Sequence, residues 1–510
     1  MTFSIPPSLA LAGFIAVFGY FLWTKVQSHL KHSRFIRENG CEPPPKYPHR
    51  DPIFGLDTFF ENMRNLKSRT FLAGAWARYQ AMGRTTYQSI MLGTNVINTV
   101  HPTNVKAILS SKFEDFDIGP KRREAMSHLL GNGIFMVDGP KWEKLRALMR
   151  PNFVKRLFTD LEELEVHVGH LIERIPRDGR TFDLQVLLFS LVLDTATALF
   201  FGQSVHSLVP GASPSAERFV EAFNRVVPLI TQRVRLGFLA SLLPDPKMAS
   251  QCQILRGFIK ENIRNARERE RLDAKGEFRS DGKPKRSVFL NALLQDCEDE
   301  EEICDYLINI LLGARDTTAG LLSDLFFILA RRPDVLAKLQ AEVAQLNGEK
   351  PTMETLAKMK YLRNTILETL RLYPVIPTNQ RIANKDTFLP CGGGLDGTSP
   401  VFVKKDQPVT YHVYSMHRSK ETFGEDSEEF KPERFENPPP AWSFLPFNGG
   451  PRICLGQQLA MTEASYTTTR LLQEFANIES RDGNRPWQEG LTITCAVGGG
   501  VKVAVTPAKA

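Results

Sequence analysis

The chain is 510 residues long, 42% hydrophobic and 24% charged, with 64 Lys and Arg against 57 Asp and Glu. That basic excess is too small to argue for a nucleic-acid partner and is compatible with a membrane surface or an acidic redox partner. Seven cysteines, an odd number at no regular spacing, fit a reducing compartment, and no internal repeat or long linker follows about residue 50.

Residues 8–23 carry no charge and, counted from Ile5, approach the roughly 20 residues that span a bilayer. One membrane helix is predicted over about residues 5–24. No Lys or Arg precedes it, whereas Lys25, Lys31, Arg34 and Arg37 follow at once. Positive charge stays cytoplasmic, which places the body in the cytosol and argues against a cleaved signal. Tyr20 and Trp23 suit the interface. Residues 1–40 thus form an anchor with its basic stop, and residues 41–510 the body, joined through an extended tether of Pro43, Pro44, Pro45 and Pro48.

In the body, residues 85–92 and 96–100 read as a β-hairpin around Gly93-Thr94-Asn95, with a short helix after Pro102. Strands are few beyond this point, and long helical patterns run from 142 to 346, so the fold class is mainly α with a small β-sheet region at one side. Trp142 and Arg146 share a helix face at i, i+4, as a paired donor for a carboxylate or as parts of an ordinary amphipathic helix. Residues 214–250 alternate apolar helix with Arg225, Arg233 and Arg235, and residues 264–286 read as a basic, solvated loop.

An acidic run over 296–302 leads into a helix that continues to about Ala330. Its middle, Gly313-Ala314-Arg315-Asp316-Thr317-Thr318, interrupts an apolar row, which is costly in a buried helix without a use for the polar groups. Thr317 can turn its hydroxyl to the Gly313 carbonyl, bending the helix and opening a groove. Asp316 can relay protons there, or the two are a back-bonded threonine and a surface aspartate. Glu368 and Arg371 then pair at i, i+3. Near the end, residues 492–494 and 501–505 are predicted to pair as a hairpin with a glycine-rich tip over 495–500.

The most informative stretch is Phe447-Asn448-Gly449-Gly450-Pro451-Arg452-Ile453-Cys454-Leu455-Gly456, a glycine-rich loop that delivers one cysteine to a helix start. With no second cysteine nearby it is neither a zinc knuckle nor a dithiol site. A thiolate favoured by helix N–H groups suits a haem iron; the glycines admit a flat macrocycle, Phe447 can shield the sulfur, and Arg452 can meet a propionate. The stretch fills the pattern Phe-x-x-Gly-x-Arg-x-Cys-x-Gly and resembles the haem loop of the cytochrome P450 family.

That resemblance implies haem b with Cys454 as the axial metal ligand, and Trp142, Arg146, Arg381, Phe447, Arg452 and Gly456 as cofactor-binding residues. It implies Asp316 and Thr317 as catalytic, from similarity to Ala/Gly-Gly-x-Asp/Glu-Thr-Thr with Ala314 in place of a usual glycine. Gly313 lacks the carboxylate that would esterify haem, so the cofactor is expected to be non-covalent. Arg434, in Pro432-Glu433-Arg434-Phe435, would join Glu368 and Arg371 in a buried support of the loop. The prolines after Leu372 would lay Val375 and Ile376 over the haem. Ile134, Phe135, Ile310 and Val497 complete the implied substrate contacts, and 214–250 holds the implied lid helices.

Residues 389–400, 414–418 and 423–426 are similar to the fungal branch that hydroxylates alkanes and fatty acids. The implied function is an endoplasmic-reticulum monooxygenase placing one oxygen atom of O2 in a C–H bond of a lipophilic, long-chain substrate. Its electrons would come from NADPH through NADPH–cytochrome P450 reductase, with cytochrome b5 as an alternative donor. The alternatives are a tailoring oxidase of polyketide or other secondary metabolism, a haem-thiolate isomerase or dehydratase, and a non-catalytic haem-binding protein.

Overall fold

Asp299 accepts the Glu301 N–H at 2.8 Å and caps a helix of 30 residues whose first turn is Glu300, Glu301 and Glu302. That helix is buried from Ile303 to Leu312, Tyr306 excepted, and again from Thr318 to Leu329. The computed structural model describes residues 7–154, 161–236, 245–274, 289–483 and 485–508. The helices used below are α1 (Pro7–Glu38), α2 (Gly139–Val154), α3 (Leu184–Phe201), α4 (Pro214–Leu236), α5 (Pro246–Ala274), α6 (Glu300–Leu329), α7 (Lys360–Leu372) and α8 (Gln457–Glu474). The strands are β1 (Thr86–Met91), β2 (Thr94–Thr99), β3 (Phe116–Asp117), β4 (Phe182–Asp183), β5 (Asn379–Ala383), β6 (Thr387–Gly393), β7 (Ser399–Val403), β8 (Pro408–Tyr411), β9 (Phe475–Ser480), β10 (Glu489–Leu491), β11 (Cys495–Val497) and β12 (Lys502–Pro507).

The chain divides into two units. The first comprises Met1–Phe59, Tyr79–Asp117 and Gln380–Tyr411 and holds a five-stranded sheet of order β1-β2-β8-β5-β3 and the β6–β7 pair. The β1–β2 turn is shorter than predicted. Leu92 and Gly93 both take positive φ, 49° and 75°, which makes a two-residue turn and leaves Thr94 and Asn95 to the strand. The helix expected to stop near residue 24 runs on to Glu38, because nothing breaks it before Gly40. Its last turns pack on the β6–β7 pair, with Phe35 5.4 Å from the Phe402 ring and Lys31 3.2 Å from Asp386. Its earlier residues Phe14, Val17, Tyr20 and Trp23 are exposed. The proline tether is extended and carries strand-like bonds, Gln88 N–H to Pro45 O and Tyr47 N–H to Gln88 O, each 2.8 Å.

The second unit comprises Phe60–Arg78, Ile118–Asn379 and His412–Ala510. Its core is built on α3 and α6, with α7, α8 and the strands β9 and β12 packed around them. Among the described residues, α3 is the one helix long and apolar enough to cross a membrane, yet 61% of it is buried here, as befits a core helix. Two expectations change. Residues 264–274 are the end of α5 and not a loop, and Arg264 pairs with Glu300 at 2.9 Å; residues 275–286 lie outside the described residues. The chain end does not pair as predicted either: β10 pairs with β11 around a turn at 492–494, while β12 runs between β4 and β9. Gly499 and Gly500, at φ 88° and 87°, turn the chain out of the first ladder, and a Cβ on Gly500 would lie 2.2 Å from Asp183.

Candidate active site

The loop before α8 is shaped by its own backbone. Asn448 and Gly450 adopt positive φ, Gly450–Arg452 forms a single tight turn, and the Cys454 N–H donates to Phe447 O at 3.0 Å. Gly456 then caps α8, two residues after the cysteine. Cys454 presents open surface, although protein is dense around its sulfur. Burial pushes the thiol up, opposed by the Gly456 N–H and the charge of Arg146. Phe447 is half-buried against the main core.

Beside this loop the structure gathers Trp142, Arg146 and Arg452. The Arg452 guanidinium lies 4.4 Å from the Trp142 ring and donates to Asp138 Oδ1 at 2.7 Å and to Val137 O at 2.9 Å. Arg146 lies 5.7 Å from the same ring and donates to Ile453 O at 2.9 Å. Burial holds the Arg146 pKa down, Arg150 adds to this, and Cys454 opposes it. Arg381 belongs to the first unit, where it is buried and donates to Gln380 O at 2.8 Å.

On α6 the Thr317 hydroxyl donates to Gly313 O at 2.6 Å. Asp316 is not on the surface: it is buried and accepts from Arg315 Nη1 at 2.8 Å. Burial pushes its carboxyl above the usual range, and the Arg315 charge opposes that push. Gly313 matters for space, since a Cβ there would meet the Phe135 ring at 3.1 Å. The segment carrying Ile134 and Phe135 is pinned to α6 by two side chains. Asp305 accepts the Asn132 N–H at 2.8 Å, and Asn309 accepts the Phe135 N–H at 3.1 Å while donating to Leu130 O at 2.8 Å. A Cβ on Gly133 would fall 1.9 Å from the Asn309 amide. Ile134, Ile310 and Val375 are buried, Ile376 is half-buried, and Phe135 is 36% exposed. Val497 lies in the main core cluster, 2% exposed, in register with Glu489 across the β10–β11 pair.

Arg371 on α7 donates twice to Glu368, at 2.7 and 2.8 Å, and both side chains are wholly buried. Its remaining N–H groups reach His417 O, Ser427 O and Glu429 O at 2.9, 2.6 and 3.0 Å. Arg434 lies 3.6 Å from Glu368 and donates to Asp426 at 2.9 Å. His417, fully buried, accepts the Leu445 N–H at 2.9 Å; burial, with the Arg371 charge, holds its pKa down to about 3.

The family model for cytochrome P450 matches residues 45–494. The chain belongs to the cytochrome P450 family. It is 43% identical over 502 residues to the monooxygenase himC of Aspergillus japonicus, covering 97% of this chain and 89% of that one. To fsdH of Fusarium heterosporum it is 39% identical, with the same coverage, and to cytochrome P450 52A12 of Debaryomyces hansenii 37%, covering 92% and 93%. Members of this family are oxidoreductases that hold haem through a cysteine thiolate and use O2 with NADPH-derived electrons. They take those electrons from a redox partner and act on small molecules.

The donor set of this P450 fits that cofactor. Among the described residues no group of three or more His, Cys, Asp or Glu is placed to hold a metal, so Cys454 is a lone protein donor, as for an iron whose other ligands come from a porphyrin. A bound iron would also withdraw the thiol proton that burial favours.

Asp138, Asp305, Asn309, His417 and the Arg315 partner of Asp316 escaped the sequence reading. Asn309 left a signal: an amide flanked by Ile308 and Ile310 in an apolar helix, i+4 from Asp305, is costly unless it bonds something across the interface.

Proposed function

We propose that this P450 is a membrane-tethered monooxygenase that inserts one oxygen atom of O2 into a C–H bond of a long-chain, lipophilic substrate. The observation that carries the reading is the Thr317 hydroxyl held on Gly313 O beside Asp316, with the Phe135 ring against Gly313. Haem held by Cys454 supplies oxygen binding and O–O cleavage, which the thiolate's electron density favours.

This chain's residues do the rest. With its hydroxyl hydrogen committed in a hydrogen bond to Gly313 O, the Thr317 oxygen is left to accept a hydrogen bond from a proton donor and orient it, and Asp316 is the acid next to it. Ile134, Phe135, Ile310, Val375 and Ile376 exclude water and guide an apolar chain. A narrow channel is required for attack at a chain end, because internal C–H bonds are the weaker ones and only positioning reverses that order. Glu368, Arg371 and Arg434 hold the loop that carries Cys454 and touch no reacting atom. The exposed apolar face of α1, with Lys25, Lys31, Arg34 and Arg37 after it, supports a single-pass anchor in the endoplasmic reticulum with the body cytosolic. There NADPH–cytochrome P450 reductase, or cytochrome b5 for one electron, would meet it.

The long-chain substrate rests on similarity to the alkane and fatty-acid branch. A tailoring oxidase of secondary metabolism uses the same site, and identities of 43%, 39% and 37% to relatives of differing designation do not separate the two. Binding difference spectra against fatty acids, alkanes and polyketide-like acids, with mass spectrometry of the product, decide between them. Hydroxylation at or near a chain end is expected, and turnover of the polyketide-like acids alone would overturn it. Cys454→Ser should abolish the thiolate-type red-shifted Soret band of the reduced carbon monoxide complex.

A further inference from the structure

Arg315 is buried on α6 with an unusual set of neighbours. One Nη donates to Asp316 at 2.8 Å, the other to the Asn224 side-chain oxygen on α4. The guanidinium is flanked by the Phe189 ring of α3 at 5.0 Å and the Phe223 ring of α4 at 4.9 Å, and its Nε has no hydrogen-bond partner among the described residues. Two of its four contacts therefore come from consecutive residues of α4, and Asn224, unlike Arg315, is exposed. Among the described residues Arg315 is the one charged group acting on Asp316. Toward this pair α3 presents Phe189, and α4 presents Phe223 and Asn224. The nearby charges of α4, Glu221 and Arg225, pair with each other at 2.5 Å on its exposed face.

We propose that Arg315 and Asn224 form a latch through which the position of α4 sets whether Asp316 carries a proton. With α4 in place, Arg315 is held against Asp316, and the carboxylate is ionised and paired. Displacement of α4 takes away the acceptor and one aromatic face, leaving a buried guanidinium with a second unmet donor edge, which turns to water at lower cost. Asp316 stays buried, now without its counter-charge, and takes one proton from solvent onto a carboxylate oxygen. When α4 returns, Arg315 restores the pair and that proton leaves, next to the Thr317 hydroxyl. Movement of α4 would thereby load and release one proton at the site. Arg315 and Asn224 are positioning residues, and the latch rests on the reading of Asp316 as the site's acid.

The test is infrared titration of the holoenzyme, following the carbonyl stretch of a protonated carboxyl group and assigning Asp316 by its loss in Asp316→Asn. In the native protein Asp316 is expected to be a carboxylate at pH 7. Asn224→Ala, at an exposed helix position that should not disturb folding, is expected to raise its proton affinity about tenfold, the effect of losing one hydrogen bond to a charged group. Arg315→Met should give the protonated band at pH 7, and Arg315→Lys should restore the carboxylate. An Asn224→Ala protein that titrates like the native one overturns the latch. Should Asp316→Asn leave the ratio of product to hydrogen peroxide unchanged, the reading of Asp316 as acid falls instead, and the titration still decides the latch.

Discussion

Two buried arginine–carboxylate pairs are built to opposite ends. Arg371 spends its N–H groups on both oxygens of Glu368 and on three backbone carbonyls, and Glu368 also accepts the Lys431 N–H at 2.8 Å. Arg315 has one carboxylate oxygen, one amide side chain, two ring faces and an unused Nε. Backbone carbonyls cannot swing away, whereas an asparagine on another helix leaves with that helix. The first pair is a rivet and the second can be undone, although each is the same chemical pair.

The largest effect should follow removal of the rivet. Arg371→Ala leaves Glu368 charged and buried, and is expected to cost about 3–5 kcal/mol and to abolish haem incorporation, measured by urea denaturation and the haem spectrum. Loss of only about 1 kcal/mol there would break the contrast with Arg315. Gly133→Ala forces a Cβ to within 1.9 Å of Asn309 and should cost about 1–3 kcal/mol through overpacking, with weaker substrate-induced spectral shifts as the 131–136 segment is pushed off α6.

The rivet should also show itself in pH. The unfolded chain protonates His417 near its ordinary 6.5, whereas the folded protein keeps it neutral down to about 3. The stability that His417 contributes is therefore full above pH 6.5 and falls by about 1.4 kcal/mol per unit as the pH drops below it. Denaturation midpoints in His417→Gln should lose that part of the acid slope. The smallest stability effect is expected from Thr317→Ala, about 1 kcal/mol for one hydrogen bond, yet electrons from NADPH should go to hydrogen peroxide in place of product. Unchanged coupling would remove Thr317 from proton handling.

Much of this was legible in the linear chain because its determinants are local. The Cys454 loop needs three glycines and a helix start within ten residues, the Thr317 bond to Gly313 spans one helical turn, and Glu368 meets Arg371 one turn apart. The strand partners of the chain end were not legible, because Val501 to Val505 would suit any ladder and only the turns at 492–494 and 498–500 choose β9 and β4 over β10. Nor was the partner of Arg452, since Asp138 is more than 300 residues away.

By itself the sequence determined the mainly helical fold class, the lone thiol donor and the Thr317 bond to Gly313, all set by spacing along one segment. Only the tertiary structure decided how firmly each charge is held. Arg371 and Arg315 look alike in sequence, each within three residues of an acid; what surrounds them, fixed carbonyls in one case and a neighbouring helix in the other, comes from distant parts of the chain, and burial makes that surrounding decisive.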